Sequence, residues 1–288
     1  MLRIEHIDTA LSPNDFSERI FAGAALVVGN NKAMRACRNV VALFIETYLG
    51  DRNLDVDITK LHESLDRTDY LTLIDELRTS LKSNTSALDL FLSAIEECGF
   101  DKRETFFDHL TLRVVPPETS HKDGYASYIG PHRDTWGSKC HAQLNWWAPI
   151  YTITAERTLG FFPDYWSRPI ANDTDSWDFN GFLAARSENK RSERVPYPSA
   201  PTPTQAVNME QAVPVIVEPS ELLCFSGAHL HTTIPNQSQL ARVSLELRTM
   251  HTMHDELNLS APNIDCADGQ KMVGWFKNAI TKERLSDS

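Results

Sequence analysis

The chain has 288 residues, 41% of them apolar, enough to build one large domain or two ordinary ones around a sizeable core. A formal charge of −11 and an isoelectric point near 5.4 argue against a nucleic-acid surface or an anionic membrane, since both need clustered Lys and Arg, and point instead to a small molecule as partner. The start Met1-Leu2-Arg3-Ile4-Glu5-His6 lacks the apolar stretch of a signal peptide, and no segment reaches the roughly 18 consecutive apolar residues of a membrane span, so the sequence reads as cytoplasmic.

In chain order, the first apolar run is Ile20 to Val28, short and rich in small and β-branched residues, which predicts a buried strand. From Asn31 to Leu49, Met34, Cys37, Val40, Val41, Phe44, Ile45 and Tyr48 recur at helical spacing, and Gly50 stands where a C-terminal cap belongs. Two more helices are predicted between Asp66 and Cys98. The second has Thr85 or Ser86 as its N-cap and Gly99 as its stop. None of these helices gathers a convergent set of polar residues, so they read as packing scaffold.

After Phe100 the period changes. In His109 to Pro117, Leu110, Leu112 and Val114 alternate with His109, Thr111 and Arg113, so one strand face is apolar and the other polar; Arg113 faces either a pocket or water. Short alternating runs recur at 143–147, 158–162, 213–217, 222–225 and 242–247, with turn residues between them. They predict a mostly β fold with flanking helices, the β part being a jelly roll, or double-stranded β-helix, of the cupin-like kind. A doubly wound sheet is disfavoured because helices do not alternate with these strands, and no Gly-rich phosphate loop occurs. The expected organisation is a helical part over about 1–105, a jelly-roll core over about 106–252, and a C-terminal helix over about 268–283. A polar stretch from about 165 to 211, with a basic cluster at Lys190, Arg191 and Arg194 and the prolines Pro196, Pro198, Pro201 and Pro203, interrupts the core as an insertion; it is either a cover over the substrate or a solvated excursion.

The five cysteines are scattered and form no Cys-x-x-Cys pair, so they read as reduced thiols. Cys224 is a small core residue and Cys140 a packing residue near the candidate site. That site is the stretch Gly130 to Pro149. His132 and Asp134, two apart at the entrance to an extended segment, can offer an imidazole nitrogen and a carboxylate oxygen to one metal ion. A second His-x-Asp, His121-Lys122-Asp123, sits in a charged, Gly-containing turn, whereas the His132 pair leads into the aromatic strand Gln143-Leu144-Asn145-Trp146-Trp147. A jelly roll brings an early and a late strand around one cavity, which makes a downstream histidine the third ligand. His229 and His231 both qualify, and their equal parity cannot separate them.

The late segment resembles that of the iron(II)- and 2-oxoglutarate-dependent oxygenases of the phytanoyl-CoA dioxygenase type. There a histidine four residues after a glycine precedes Pro-Asn-x-Ser and then an arginine, which Gly227, His231, Pro235, Asn236, Ser238 and Arg242 match in order. The likeness covers roughly the second half of the chain. It implies a single oxygenase domain in which His132, Asp134 and His231 bind Fe(II), and His229 lies beside the pocket. It further implies that Arg242, 242 − 231 = 11 positions after the distal histidine, clasps the far carboxylate of 2-oxoglutarate with help from Ser244, and that Gln143 or Asn145 hydrogen-bonds the same cosubstrate. Where many members have Pro-Gly-Ser-His, this chain has Phe161-Phe162-Pro163-Asp164-Tyr165-Trp166, bordering the region where substrate binds.

The implied reaction consumes O2 and 2-oxoglutarate, releases succinate and CO2, and hydroxylates a small molecule. Related halogenases carry a small residue in place of the carboxylate ligand, so Asp134 favours hydroxylation, desaturation or ring formation. Two other classes compete: a cupin-like metal isomerase without 2-oxoglutarate, and a non-catalytic small-molecule binder on the same scaffold. Arg242 speaks against both. His141, His251 and His254 read as hydrogen-bonded structural histidines, and Trp136, Trp146 and Trp147 as core or pocket wall.

Overall fold

A computed structural model describes residues 3–9, 11–119, 129–178, 181 and 200–286. Its strands are β1 (Arg3–Ile7), β2 (Ala24–Val28), β3 (Thr105–Phe107), β4 (Thr111–Val115), β5 (Leu144–Pro149), β6 (Leu159–Phe161), β7 (Val213–Val215), β8 (Leu222–Ser226), β9 (His231–Thr233), β10 (Arg242–His251) and β11 (Lys277–Asn278). Its α-helices are α1 (Pro13–Phe21), α2 (Lys32–Gly50), α3 (Leu61–Ser64), α4 (Arg67–Lys82), α5 (Thr85–Glu97), α6 (Asp134–Ser138) and α7 (Thr252–Glu256).

Among the described residues, one large sheet has the order β1-β2-β8-β5-β10-β3-β11, with β4 pairing beside β3 on the same edge of β10. A small sheet has the order β7-β6-β9, and an isolated antiparallel bridge between His132 and His231 extends it past β9. From β4 to β10 the chain therefore alternates: β4 in the large sheet, His132 in the small, β5 in the large, β6 and β7 in the small, β8 in the large, β9 in the small, β10 in the large. That crossing pattern is a double-stranded β-helix, as the strand spacing predicted.

Strand parity sorts the side chains. On the outer face of the large sheet, Leu112, Val114, Leu144, Trp146, Ala148, Cys224, Val243, Leu245 and Leu247 are buried in one core with Met34, Val41 and Ile45 of α2, Leu77 of α4, and Phe91 and Ile95 of α5. Each such Leu or Ile contributes on the order of 2 kcal/mol by leaving water. On the inner face, Ala25, Val27, Trp147, Leu223 and Phe225 meet Leu159, Phe161 and Val215 of the small sheet. The apolar filling ends there. The same inner face continues as Arg113, Asn145, Arg242, Ser244, Glu246 and Arg248, set across from one another by the β10 register.

Local chemistry moves several boundaries. Ile20 and Phe21 finish α1 instead of starting a strand, because Gly23, at φ +96°, lets the chain reverse before β2. Gly50 lies inside α2, and the turn to left-handed backbone falls to Asn53 at φ 58°. Asn84 caps α5 by accepting from Ala87 N, ahead of Thr85 and Ser86. No helix spans 268–283. Gly269 and Gly274 each weaken one by about 1 kcal/mol, and the chain instead makes a short turn at Val273–Trp275, buries Phe276, and pairs β11 with the open edge of β3. Asn278 then accepts from Ile280 N and Thr281 N, closing a turn where a helix was expected.

The insertion leaves the core after β6 and returns at β7. Its described ends are held together by Thr202 N and Oγ1 donating to Asp173, and by Thr204 N donating to Ala171 O at 2.8 Å. Lys190, Arg191, Arg194, Pro196 and Pro198 lie outside the described residues, as does His121-Lys122-Asp123. No helix among the described residues is long and apolar enough to cross a membrane.

Candidate metal centre

His132 and His231 are brought together by backbone. His132 N donates to His231 O at 2.9 Å and His231 N to His132 O at 3.0 Å, which sets the two rings side by side with centroids 4.3 Å apart. Arg133 is extended (φ −113°, ψ 134°), and Asp134 then opens the single turn of α6, so its carboxylate swings back toward both rings. The segment entered at Asp134 is thus a helical turn and not a strand. Oδ1 lies 3.8 Å from His132 Nε2 and Oδ2 3.7 Å from His231 Nε2, and the three donor atoms sit within 4.8 Å of one another. These gaps exceed hydrogen-bond length. They fit a first-row cation, whose ligands at about 2.1 Å stand roughly 3–3.5 Å apart, with a slight contraction on binding.

Protonation states suit a metal as well. His132 Nδ1 donates to Gly130 O at 2.8 Å and His231 Nδ1 to His229 O at 2.9 Å. A carbonyl only accepts, so in each ring Nδ1 holds the proton and Nε2 is the position left for a ligand bond. Burial, aided by His231, pushes the His132 pKa down to about 4, so the ring is neutral at physiological pH. Burial would raise that of Asp134, but His231, His132, Arg248 and a hydrogen bond from Asn145 outweigh it and hold the carboxyl below its ordinary value.

The β5 residues prepare Asp134. Gln143 Nε2 donates to Asn145 Oδ1 at 2.7 Å, and Asn145 Nδ2 donates to Asp134 Oδ2. Both polar ends of Asn145 are therefore engaged within the protein, while Gln143 Oε1 has no partner among the described residues. Gly227 closes the opposite side, its carbonyl accepting from Thr135 N at 3.2 Å. A Cβ there would stand 2.9 Å from Gln143 Nε2 and 3.3 Å from Asp134 Cβ, so any side chain here would push both residues aside.

The structure separates the two late histidines that parity left equal. The turn after β8, closed by His229 N donating to Ser226 O, lies outside any strand, and alternation resumes only at His231. His229 is fully buried, its ring tilted against Trp166 with centroids 4.3 Å apart, and it is not one of the three donors that cluster.

Arg242, at the start of β10, is 1% exposed. Its Nη1 donates to Thr158 O at 3.1 Å, but Nε and Nη2 have no partner among the described residues, nor do the neighbouring Ser244 Oγ and Trp147 Nε1. Burial pushes the guanidinium pKa down to about 10 against the pull of Glu246. Unpaired donors around a buried cation are rare in finished cores, because each costs about 1–3 kcal/mol; a carboxylate ligand would satisfy them together.

Four further charged residues were not singled out in the sequence. Glu246 accepts two bonds from Arg113, at 2.6 and 2.7 Å, which puts Arg113 on the inner face and not in bulk water. Arg248 donates to Asp108 at 2.7 Å and approaches Asp134 Oδ1 at 3.7 Å. The alternation Arg242, Ser244, Glu246, Arg248 would have revealed the two β10 members. Asp265, which accepts from Arg133, gave no signal. His251 bonds Thr105 and Thr249, His254 bonds Ser17, and Trp136 and Trp146 are core residues donating to Asp265 and Thr249. Cys140 and Cys224 are buried. A 760 Å³ cavity lined by α2 residues, the 53–58 turn and Tyr151 shares no residue with the cluster.

No protein-family model matches the chain, so the phytanoyl-CoA dioxygenase resemblance stands on its motif residues alone, and no curated protein matches significantly. Among solved structures, EvdO2 from Micromonospora carbonacea var. aurantiaca is similar at 17% identity over 66% of this chain and 69% of that one, with a TM-score of 0.40. The non-heme monooxygenase ThoJ is similar at 13% identity over 75% and 70%, with a TM-score of 0.40. SnoK, a non-heme alpha-ketoglutarate-dependent carbocyclase from nogalamycin biosynthesis, is similar at 17% identity over 64% and 66%, with a TM-score of 0.32. At such identities and TM-scores these likenesses assign nothing to this chain, whose own side chains are what bear on its function.

Proposed function

We propose that this protein is an iron(II)- and 2-oxoglutarate-dependent oxygenase that hydroxylates a small molecule, releasing succinate and CO2. The observation that carries the reading is Arg242: a fully buried guanidinium with two unpartnered nitrogens, beside unpartnered Ser244 and Trp147, on the same inner sheet face that borders the His132, Asp134 and His231 group. A buried guanidinium aimed at a carboxylate speaks against a cupin-like isomerase without 2-oxoglutarate and against a non-catalytic small-molecule binder.

In this reading His132 Nε2, His231 Nε2 and one oxygen of Asp134 would hold Fe(II). When bound, iron and 2-oxoglutarate supply an oxidant strong enough for an unactivated C–H bond, with O2 as the other reactant. The protein's own residues do the rest. Carbonyls of Gly130 and His229 orient the imidazoles, and the donor from Asn145 to Asp134 Oδ2 fixes the orientation of the carboxylate. Arg242 and Ser244 hold the far carboxylate of the cosubstrate, which fixes the direction of its keto acid end. The apolar inner face around Trp147, Phe161 and Phe225 excludes water. Because Asp134 supplies a carboxylate ligand, the outcomes that fit are hydroxylation, desaturation or ring formation. The acidic chain favours a small-molecule substrate over nucleic acid or membrane, in a cytoplasmic setting.

An anaerobic titration with iron(II) and 2-oxoglutarate tests this: chelation gives a visible metal-to-ligand absorption band. Iron bound without that band would favour the 2-oxoglutarate-independent metalloenzyme. A band without oxygen-dependent succinate release, across a broad substrate panel, would favour a non-catalytic binder.

A further inference from the structure

Resting on the metal reading above, we infer that Asp265, in the segment after α7, is a positioning residue for the metal centre. It acts through Arg133, the residue between two of the ligands. Arg133 points away from the ligand group and is buried, with side-chain exposure of 2% against 5% for Asp265. Its Nε and Nη2 donate to Asp265 Oδ2 at 3.1 and 3.0 Å, Nη1 donates to Ala228 O, and Nη2 also donates to Tyr165 O at 2.6 Å. Ala228 belongs to the turn that delivers His231, so one guanidinium joins the early ligand loop to the late one.

Asp265 anchors that guanidinium and more. Its Oδ1 accepts from Trp136 Nε1 at 2.7 Å and its Oδ2 from Ile170 N at 3.1 Å. It thus grips the residue before Asp134 and the residue two after it, and clamps both to the foot of the insertion, where Asn172 Nδ2 also donates to Asp265 O at 2.8 Å. One residue late in the chain thus ties two separate segments, 133–136 and 170–172, together beside the ligands. Without it the buried guanidinium has no counter-ion and must turn toward water. The backbone that aims His132 and Asp134 would turn with it.

The probe is cobalt(II), titrated into the full-length protein by its visible absorption, with the melting temperature of the metal-free protein measured alongside. Asp265→Asn is expected to weaken cobalt binding at least about tenfold and to alter the cobalt spectrum, as changes behind a first ligand shell do. The double variant Arg133→Met, Asp265→Leu removes both charges. Its melting temperature should recover toward the parent's while cobalt binding stays weak, which a merely structural ion pair would not produce. Cobalt affinity within twofold of the parent in a folded Asp265→Asn, or regained in the double variant, would overturn the inference. A parent protein that binds no cobalt would instead overturn the metal reading on which it rests.

Discussion

Replacing Arg242 by Met should make the metal-free protein more stable while destroying its affinity for 2-oxoglutarate. The guanidinium is fully buried and its pKa is lowered from 12.5 to about 10, chiefly by desolvation. A folded-state value below the unfolded one means that the fold holds the charged form at a cost. That cost is present at every pH below about 10 and fades only above it. At about 1.4 kcal/mol per unit it amounts to roughly 3 kcal/mol. Against this, Met loses the bond from Nη1 to Thr158 O, worth about 1–2 kcal/mol. The Thr158 carbonyl is not orphaned, because Ile234 N also donates to it at 2.9 Å. The balance is a gain of about 1–2 kcal/mol, or a rise of about 2–3 °C in melting temperature for a chain of this length.

The ligand side has the opposite sign. Truncating one partner of a buried charge pair costs about 2–5 kcal/mol, a loss of roughly 30-fold to several thousand-fold in 2-oxoglutarate affinity. Thermal scans with and without metal and 2-oxoglutarate read both effects. The parent should gain about 3 kcal/mol at a hundredfold excess over Kd, and the variant should gain none from the keto acid while still responding to metal. A lower melting temperature with an unchanged 2-oxoglutarate response, or equal loss of metal and keto acid binding, would show that Arg242 is structural.

Calorimetric titration with iron(II) or cobalt(II) should find His231→Ala unable to bind metal and His229→Ala still able, and the reverse would mean that the wrong histidine holds the ion. Asn145→Ala, which strips Asp134 of its hydrogen-bond donor, should weaken metal binding about 10- to 100-fold with a fold unchanged by circular dichroism. Gly227→Ala places a methyl 2.9 Å from Gln143 Nε2; the expected cost of about 1–3 kcal/mol would show in urea unfolding, accompanied by weaker metal binding. Buried His251 and His254 are held neutral, their pKa values pushed down by desolvation, His254 to about 4. A lowered folded pKa means stability that is full above pH 6.5 and lost as the pH falls toward 4, about 1.4 kcal/mol per histidine by pH 5.5. Acid denaturation should therefore begin below pH 6.5, and His254→Gln should move its midpoint to lower pH.

How much of this was legible in the sequence depends on the range over which each feature is specified. The helices α2, α4 and α5 and the alternation in β4 and β10 are local patterns, and they appear where the periodicity put them. Their ends do not, because Asn84 competes with Thr85 and Ser86 for one cap, and such contests are settled by the exact path of the preceding turn. The β11 pairing in place of a C-terminal helix is non-local: Lys277 and Asn278 pair with β3, whose free edge no local pattern announces.

The candidate site divides in the same way. His132 and Asp134 are close in sequence, and His231 follows 231 − 132 = 99 residues later, yet the fold class alone implies that an early and a late strand share the cavity. Which late histidine qualifies depends on where β9 begins, and the turn ending at Leu230 decides that. Strand parity similarly shows that Arg242, Ser244, Glu246 and Arg248 share a face, but it cannot say that Glu246 meets Arg113, since their pairing is a matter of register between β10 and β4. Asp265 is the extreme case. Nothing near it in sequence is periodic or motif-like, and its importance comes from satisfying a charge whose burial is itself a product of the folded chain. Side chains able to ligate a metal can be read from their chemistry, whereas a buried counter-ion such as Asp265 acquires its place only from the packing.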